Sequence, residues 1–430
     1  MHRIHFKTKV ITLLCFALFL QACTDEEATT ISSALPPLDL SQTYAYKESS
    51  PFKTSIVNCI QTNTVDSCDL KTLPFIGSES NSPDINTIME RVVVSHDWMG
   101  QRFEEILSQL PGEMLPLFQA VTAIIIDSNI RPSFYTTETG AIYIDPRYLW
   151  LSVAEKQTIS TAEDYRSSFS DPLNFKVLNR YLINDARAYQ NFSLTDTSTR
   201  DLNDIELAFA RLMLHELAHA NDFIPADSVI NLSPEQNVID AVRSLSNERI
   251  SNHLYQLLPL ASETLFSLAG VMYKGYTPTP LELELSALEV GNAFDEDGAS
   301  DDYGYTSIYE DTAMLFEATM MKYFYNADYE IAFTSIPQNP NDCQDYFIAW
   351  GVTSRLGDAY VKPRAQWVST ELLPNLSFSV FFQNIEPPMS TQGDWCITPA
   401  TTPSTSTTLS TPKSQTEKNM PLIDLIKPYL

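Results

Sequence analysis

The chain has 430 residues, of which 44% are hydrophobic and 11% aromatic, a composition that excludes an intrinsically disordered protein and predicts a globular fold. Its formal net charge of −27 argues against a nucleic-acid partner, because a phosphate backbone would be repelled. No apolar run approaches the roughly 20 residues that a transmembrane helix needs, so no membrane span is predicted.

The N-terminus has the pattern of an export signal. Basic residues up to Lys9 precede an apolar stretch at 10–20 (VITLLCFALFL), which is too short to span a bilayer and typical of a signal peptide. Residues 20–23 (LQAC) resemble the lipobox of bacterial lipoproteins. This resemblance implies that residues 1–22 are removed and that acylated Cys23 anchors the protein in the cell envelope, at the outer membrane of a Gram-negative bacterium. An ordinary secretory signal followed by a chance cysteine is the alternative.

Cysteine usage agrees with an exported protein. Of six cysteines, one lies in the signal peptide and Cys23 would carry the lipid, which leaves an even number. The remaining four allow three pairings, and a cluster of zinc-binding thiolates is the alternative to disulfides. Closing a short loop costs the least entropy, which favours Cys59 with Cys68 and hence Cys343 with Cys396.

One large folded domain is predicted between two low-complexity segments. Residues 23–80 are typical of a tether, at 24–55, followed by a disulfide-containing N-terminal segment, and residues 399–430 are a Ser/Thr-rich tail. Asp201 or Asp204 can cap the most regular helix of the domain. Hydrophobic periodicity predicts strands at 121–126 and 141–144 and helices at 83–110, 202–220, 258–272, 281–292 and 308–325.

The strongest chemical motif lies on the helix at 202–220. Residues 215–219 read HELAH, an HExxH motif, and residues four apart on a helix share one face, so His215 and His219 can bind one metal ion. Glu216 lies at the edge of that face, where it can take a proton from metal-bound water and pass it to a leaving amine. Zinc suits this chemistry because it makes bound water acidic near neutral pH. A helix with two structurally satisfied histidines is the alternative.

Two further segments complete a resemblance to a known class of zinc enzyme. Residues 215–222 (HELAHAND), 303–306 (YGYT) and 310–313 (EDTA) resemble the motifs of gluzincins of the anthrax lethal factor and Pro-Pro endopeptidase type. The resemblance implies a zincin-like α+β fold, with a small mixed sheet, the HExxH helix and a mostly helical C-terminal subdomain. It also implies that Glu310 is the third zinc ligand and that Tyr303 donates a hydrogen bond to the oxyanion.

The zincin-like domain is predicted at 81–398, with one departure from the families that it resembles. Ninety residues separate His219 from Glu310, which indicates a helical insertion at about 225–300. Each of the two residues after the insertion has an alternative assignment. The alternative for Glu310 is a helix-capping carboxylate, and the alternative for Tyr303 is an ordinary loop tyrosine.

Other residues have weaker assignments. Asp222 either steers a histidine or closes the helix. Zincins pair their substrate with an edge strand beside the HExxH helix, so residues 141–144 are the candidate, with an internal strand as the alternative. The acidic segment 295–302 is more typical of a solvated loop than of a calcium site. His96 and His253 are expected to be structural or surface residues.

Together these observations favour a zinc metallopeptidase, an endopeptidase with Zn²⁺ as cofactor that cleaves proteins or peptides in the bacterial envelope. Peptide cross-links of the cell wall are an equally open substrate. The alternative is a non-enzymatic envelope lipoprotein whose HExxH helix is structural or binds zinc only for stability. Glu216 favours the enzyme, because a structural zinc site needs no general base and usually has a Cys or His as its fourth ligand.

Overall fold

The computed structural model of the chain describes residues 38–61, 68–190, 193–195, 197–340 and 345–396. The predicted signal peptide at 1–22, the lipidation site at Cys23, Cys343 and the tail at 399–430 lie outside the described residues. The described part has a mixed α and β architecture with two sheets and one extensive hydrophobic core. None of its helices combines the length and the hydrophobicity that a membrane crossing requires.

A small mixed sheet forms in the N-terminal part of the chain. The elements of this part are β1 (Tyr44–Ala45), α1 (Lys53–Gln61), α2 (Ile85–Met89), β2 (Val92–Val94), α3 (Asp97–Leu107), β3 (Ile124–Ile126), β4 (Phe134–Thr136), β5 (Ala141–Ile144) and α4 (Val153–Lys156). Strands β2, β3 and β5 run parallel in the centre, while β1 and β4 are antiparallel to their neighbours. The central strands are buried along their whole length, as expected of parallel strands covered on both faces.

The strand order of this sheet corrects one prediction. The order is β1-β2-β3-β5-β4, so β5 at 141–144 is an internal strand and its assignment as the edge strand is wrong. The edge on that side is β4, which packs against the helix that carries the HExxH motif. A turn in which Gly140 adopts a φ of 65° folds β4 back onto β5, and such a turn favours glycine.

Two further predictions in the N-terminal part need correction. The helix predicted at 83–110 is two helices, α2 and α3, with strand β2 between them. The three consecutive valines of β2 prefer an extended backbone because their side chains branch at Cβ. The tether predicted at 24–55 is not a tether over 38–55, because β1 pairs with β2 and Leu40 is buried in the core.

The predicted disulfide between Cys59 and Cys68 is present, with Cα atoms 4.7 Å apart. Cys59 lies near the end of α1, and the backbone carbonyl of Cys68 accepts a hydrogen bond from the N–H of Val238, at 3.0 Å. The disulfide therefore ties α1 to a segment that contacts a distant helix. The second predicted pair, Cys343 with Cys396, stays a prediction because Cys343 lies outside the described residues.

A second, antiparallel sheet is present that the hydrophobic pattern does not predict. Its strands are β6 (Phe175–Ile183), β7 (Ala186–Arg187), β8 (Asp328–Ser335), β9 (Phe347–Thr353), β10 (Met389–Ser390) and β11 (Gly393–Asp394). The central pair, β6 and β8, aligns Arg180 with Glu330 across 150 residues of chain, so no local pattern reveals it. The described C-terminal part, expected to be mostly helical, contributes β8 to β11.

The remaining helices form the layer that holds the candidate site. They are α5 (Leu202–Phe223), α6 (Ala226–Val229), α7 (Val238–Ser244), α8 (Ile250–Leu257), α9 (Glu263–Lys274), α10 (Ala287–Asp295), α11 (Ile308–Tyr325), α12 (Val361–Leu372) and α13 (Ser379–Gln383). Asp201 caps α5 in a capping box with Asp204, and Ser307 caps α11 by accepting a hydrogen bond from the N–H of Glu310. Helices α5 and α11 pack along each other, which brings residues from distant parts of the sequence together.

Candidate metal centre

Three side chains from two helices converge at one point of the molecule. His215 and His219 lie one turn apart on α5, and Glu310 lies in the first turn of α11. The Nε2 atoms of the two histidines are 3.1 Å apart, and Glu310 Oε2 lies 3.0 Å from the Nε2 of His215 and 3.1 Å from that of His219. Among the described residues, these three offer their ligand atoms closely enough to hold one metal ion.

The donor set fits a zinc ion. Imidazole nitrogens and carboxylate oxygens are ligands that zinc accepts, and a tetrahedral ion with bonds of about 2.0–2.1 Å has ligand atoms roughly 3.3 Å apart. The three donor atoms form a triangle with edges of 3.0–3.1 Å. Each atom would move outward by roughly 0.2 Å to fit that geometry, and the fourth tetrahedral position would stay open for water or substrate.

Burial and charge together favour a cation at this point. Burial opposes the charged form of Glu310, but His219 and His215 hold the pKa of its carboxyl well below the usual range. Burial also opposes a charge on His215, yet the carboxylates of Glu310 and Glu317 raise its pKa to about 10. A metal ion competes with protons for such a site, and the carboxylates that favour the proton favour a cation as well.

The contacts of Glu310 bear on the alternative of a helix-capping carboxylate. The capping residue of α11 is Ser307, whose Oγ accepts a hydrogen bond of 3.2 Å from the backbone N–H of Glu310. The Glu310 carboxylate turns away from the helix end toward the two histidines. The alternative of a helix-capping carboxylate is therefore wrong.

Glu216 lies beside the three ligand candidates with one carboxylate oxygen unused. Its side chain is buried, and Oε2 has no hydrogen-bond partner among the described residues. Burial raises the pKa of Glu216, while the two histidines and the backbone N–H of Tyr135 on β4 favour its charged form. A buried oxygen without a partner is uncommon, because its desolvation is not compensated. Glu216 thus keeps one oxygen available to accept a proton inside the site.

Glu317 is a site residue that the motif search missed. It lies two turns after Glu310 on α11, and its side chain is fully buried. Its Oε2 lies 3.3 Å from Nδ1 of His215, on the opposite side of the ring from Glu310. Carboxylates in this position orient metal-binding histidines in many proteins. The available signal was the seven-residue spacing from Glu310, which places both carboxylates on one helix face, within a largely apolar segment.

Tyr303 lies beside the same group, in a single turn of 3-10 helix (Asp302–Tyr305) that precedes α11. Its ring centroid is 6.4 Å from that of His215, and its ring packs edge-on against Tyr273 of α9 at 4.8 Å. Burial raises the pKa of Tyr303 well above its usual value, and the negative charges of Glu310 and Glu216 add to the effect. Tyr303 thus lies at the edge of the group formed by His215, His219 and Glu310.

A second residue that sequence reasoning missed is Arg166, in the loop between α4 and β6. Its Nη1 donates to the hydroxyl oxygen of Tyr303 at 3.4 Å. No motif marks this arginine, because it lies 137 residues before Tyr303 in the chain. Only the packing of the loop against the turn of 3-10 helix brings the two side chains together.

Asp222 does neither of the two things expected of it. Its Oδ1 accepts a hydrogen bond of 2.7 Å from the backbone N–H of Ser251 in the first turn of α8. Burial raises the pKa of Asp222, and His219 lies within electrostatic reach but makes no hydrogen bond to it in the described structure. The side chain therefore anchors the start of α8 against the last turn of α5.

The acidic segment 295–302 is only partly a solvated loop. Asp295 and Glu296 are exposed, but three other aspartates of the segment are buried and accept hydrogen bonds from the protein. These three are Asp297, which accepts from the backbone N–H groups of Ala261 and Ser262, Asp301, which accepts from that of Tyr303, and Asp302, which accepts from the hydroxyl of Tyr273. The oxygens that accept these hydrogen bonds are used within the fold, so this part of the segment is packed rather than solvated.

The other two described histidines lie apart from the site. His96 is at the start of α3, where its Nδ1 lies 3.0 Å from Ser95 Oγ, and His253 is exposed on α8.

Comparison of the chain with models of known protein families, with curated proteins and with solved structures found no match. The functional assignment therefore depends on the chemistry of the site residues.

Proposed function

We propose that the chain is a zinc-dependent endopeptidase, with His215, His219 and Glu310 as zinc ligands and Glu216 as general base. The observation that carries the proposal is the convergence of the three ligand candidates beside a buried carboxylate with an unused oxygen. A zinc ion held there would polarise a peptide carbonyl and make water acidic enough to lose a proton near neutral pH.

The protein's own groups divide the remaining work. Glu216 accepts the proton of the attacking water at Oε2 and passes it to the nitrogen of the leaving amine. Tyr303 donates a hydrogen bond from its hydroxyl to the oxygen that becomes negative when the carbonyl is attacked. The ligand side chains are buried or nearly so, which strengthens each of these interactions by excluding water.

The ligand count favours catalysis over a purely structural site. Structural zinc sites are normally closed by four protein ligands, whereas catalytic sites keep one position for water or substrate. In the described part of the chain the candidate group has three members, and the residue next to it is a glutamate rather than a fourth ligand. The rival reading of an inert envelope lipoprotein gives no role to the unused oxygen of Glu216.

The fold around the site supports a zincin-like assignment and an extended substrate. Edge strand β4 packs on α5, and one of its sides carries no partner strand among the described residues. A peptide can pair with such an edge through main-chain hydrogen bonds and so lie across the ligands. This arrangement binds the middle of a polypeptide, which favours an endopeptidase acting on protein or peptide substrates.

The proposed setting is the bacterial envelope, with membrane anchoring through acylated Cys23. The support comes from the signal-like residues 1–22, the LQAC sequence at 20–23 and the disulfide between Cys59 and Cys68. Disulfides persist in oxidising compartments such as the bacterial periplasm. The negative charge of the chain gives no support to a nucleic-acid partner.

The test is cleavage of a complex peptide mixture by the purified protein, read by mass spectrometry as new peptide termini. New termini should form with zinc present, disappear with a chelator and return when zinc is restored. The Glu216→Gln variant serves as the matched control, because it should bind zinc and form no new termini. Zinc binding by the wild type without any cleavage would favour the non-enzymatic reading.

A further inference from the structure

Arg166 is held rigidly beside the proposed oxyanion donor. It is 4% exposed, and its Nη2 and Nε donate to the two oxygens of Asp164 at 2.9 and 3.2 Å. Two parallel hydrogen bonds of this kind fix the plane of a guanidinium group. The remaining nitrogen, Nη1, then lies 3.4 Å from the hydroxyl oxygen of Tyr303.

Tyr303 is fixed from its other sides as well. Its backbone N–H donates to Asp301 Oδ1 at 2.7 Å, and its ring packs edge-on against Tyr273. The hydroxyl of Tyr273 in turn donates to Asp302 Oδ2 at 2.6 Å, which ties α9 to the turn that carries Tyr303. The hydroxyl of Tyr303 thus contacts Arg166, and its ring lies near that of His215.

The chemistry of the two groups decides where the phenol proton points. An arginine has only donors, whereas a tyrosine hydroxyl has one donor and acceptor lone pairs. Tyr303 must therefore accept from Arg166, and its own proton is directed to a different acceptor. The ring of His215 lies 6.4 Å from that of Tyr303, centroid to centroid, and Glu310 is within electrostatic reach of the phenol, so the candidate metal centre is the nearby place for an acceptor.

We infer that Arg166 is a positioning residue that turns the hydroxyl proton of Tyr303 toward the oxygen that becomes negative during peptide hydrolysis. Asp164 holds Arg166 in the orientation that this requires. The inference rests on the proposed function for the identity of the acceptor. It adds a chain of hydrogen bonds that no sequence motif indicates. The carboxylate of Asp164 holds the guanidinium of Arg166, which orients the phenol of Tyr303 toward the reacting oxygen.

Arg166 has a second effect on the same donor. Burial and the negative charges of Glu310 and Glu216 raise the pKa of Tyr303, which makes its hydroxyl a weaker hydrogen-bond donor. The positive charge of Arg166 opposes this effect. A tyrosine with a cation at its oxygen is a stronger donor than one without, because the cation draws electron density from the O–H bond.

The test uses inorganic phosphate as a simple oxyanion and the full-length protein loaded with cobalt(II), whose visible spectrum reports both metal and phosphate binding. Tyr303→Phe and Arg166→Leu should each weaken phosphate binding about tenfold, as expected for a charge-assisted hydrogen bond. The double variant should be no weaker than Tyr303→Phe alone, because Arg166 acts through the phenol. Arg166→Lys should recover part of the loss.

Two controls keep the inference testable if Arg166→Leu folds poorly. Asp164→Asn leaves the arginine in place but removes the charge that orients it, and should weaken phosphate binding by a smaller factor. Arg102→Leu removes another nearly buried arginine, paired with Glu155 and away from the site, and should leave the phosphate affinity unchanged.

Distinct outcomes separate this inference from the proposed function. If cobalt binds but Arg166→Leu weakens phosphate equally in the Tyr303→Phe background, Arg166 contacts the anion itself and the positioning role is overturned. Unchanged phosphate affinity in Arg166→Leu overturns it as well. Absence of a cobalt spectrum in the wild type removes the metal centre and this inference with it. Coupled phosphate binding without peptide cleavage would confirm that Arg166 orients the phenol toward an anion, and would refute the endopeptidase proposal and with it the peptide oxygen as the acceptor.

Discussion

The carboxylate of Glu317 lies directly behind the ring of His215, with 3.3 Å between Oε2 and Nδ1. The other oxygen of Glu317 accepts a hydrogen bond of 2.7 Å from the hydroxyl of Tyr181, and Arg211 Nη1 lies 3.4 Å from it. Nε2 of the same ring faces Glu310, so Glu317 lies at the ring nitrogen that is not directed at the other two ligand candidates. Carboxylates in this position orient metal-binding histidines in other proteins, which makes Glu317 a candidate for the same role here.

Replacing Glu317 with Ala should weaken zinc binding by about 10–100-fold, because His215 loses the group that orients its ring. Glu317→Gln keeps the shape and should lose less. Competition with a chromophoric chelator measures the affinity directly. The Glu263→Ala variant, which removes an exposed carboxylate from α9, is the control. Equal affinity in the Glu317→Ala variant and the control would show that Glu317 only fills space.

The Glu216→Gln variant should lose about 10²–10⁴-fold in cleavage rate, the usual contribution of a general base. Its zinc content should equal that of the wild type, since Glu216 is not one of the three converging side chains. The cleavage rate is measured on a peptide that the wild type cleaves, and the zinc content is measured by metal analysis of the same sample. A variant that cleaves at the wild-type rate would exclude Glu216 as the base.

Glu310→Ala should reduce the zinc content of the purified protein from about one ion per chain to a small fraction. Two histidines alone leave the ion without the carboxylate that completes the usual catalytic set of three protein ligands. Asp295→Ala, which removes an exposed carboxylate from the end of α10, is the control and should keep its zinc. If Glu310→Ala retains a full equivalent of zinc, the third ligand is a different residue.

Removing the metal should lower the thermal stability of the protein, because zinc binds the folded chain through residues that only folding brings together. Free zinc at a hundredfold excess over its Kd corresponds to about 2.7 kcal/mol in the free energy of unfolding. Melting curves with zinc and with a chelator measure the difference. The His219→Ala variant should show almost none of it, and the same shift in both proteins would point to a zinc site elsewhere.

Replacing both Cys59 and Cys68 with Ser should lower the free energy of unfolding by about 2–3 kcal/mol, the entropy contribution expected for a loop of this length. The pair ties α1 to the segment that contacts Val238, so the loss should occur without any change at the metal site. Urea unfolding of oxidised and variant protein gives the two free energies. A loss of zinc in the variant would show that this region supports the site after all.

The sequence alone was sufficient for the features that depend on neighbouring residues. The periodicity around 202–220 predicts α5, and its cap at Asp201 is confirmed. The helix at 308–325 has the predicted bounds of α11. The HExxH spacing places two imidazoles on one face because a helix repeats every 3.6 residues. The pairing of Cys59 with Cys68 follows from the low entropy of closing a short loop.

The tertiary structure alone decided the relations between residues that are distant in the chain. Glu317 reaches His215 and Arg166 reaches Tyr303 only because α5, α11 and the loop before β6 pack at one place. The edge position of β4 and the pairing of β6 with β8 also depend on such packing. A helix period or a capping residue acts over a few bonds, whereas these contacts depend on the burial of whole helix and strand faces, which the chain achieves only when it folds as a unit.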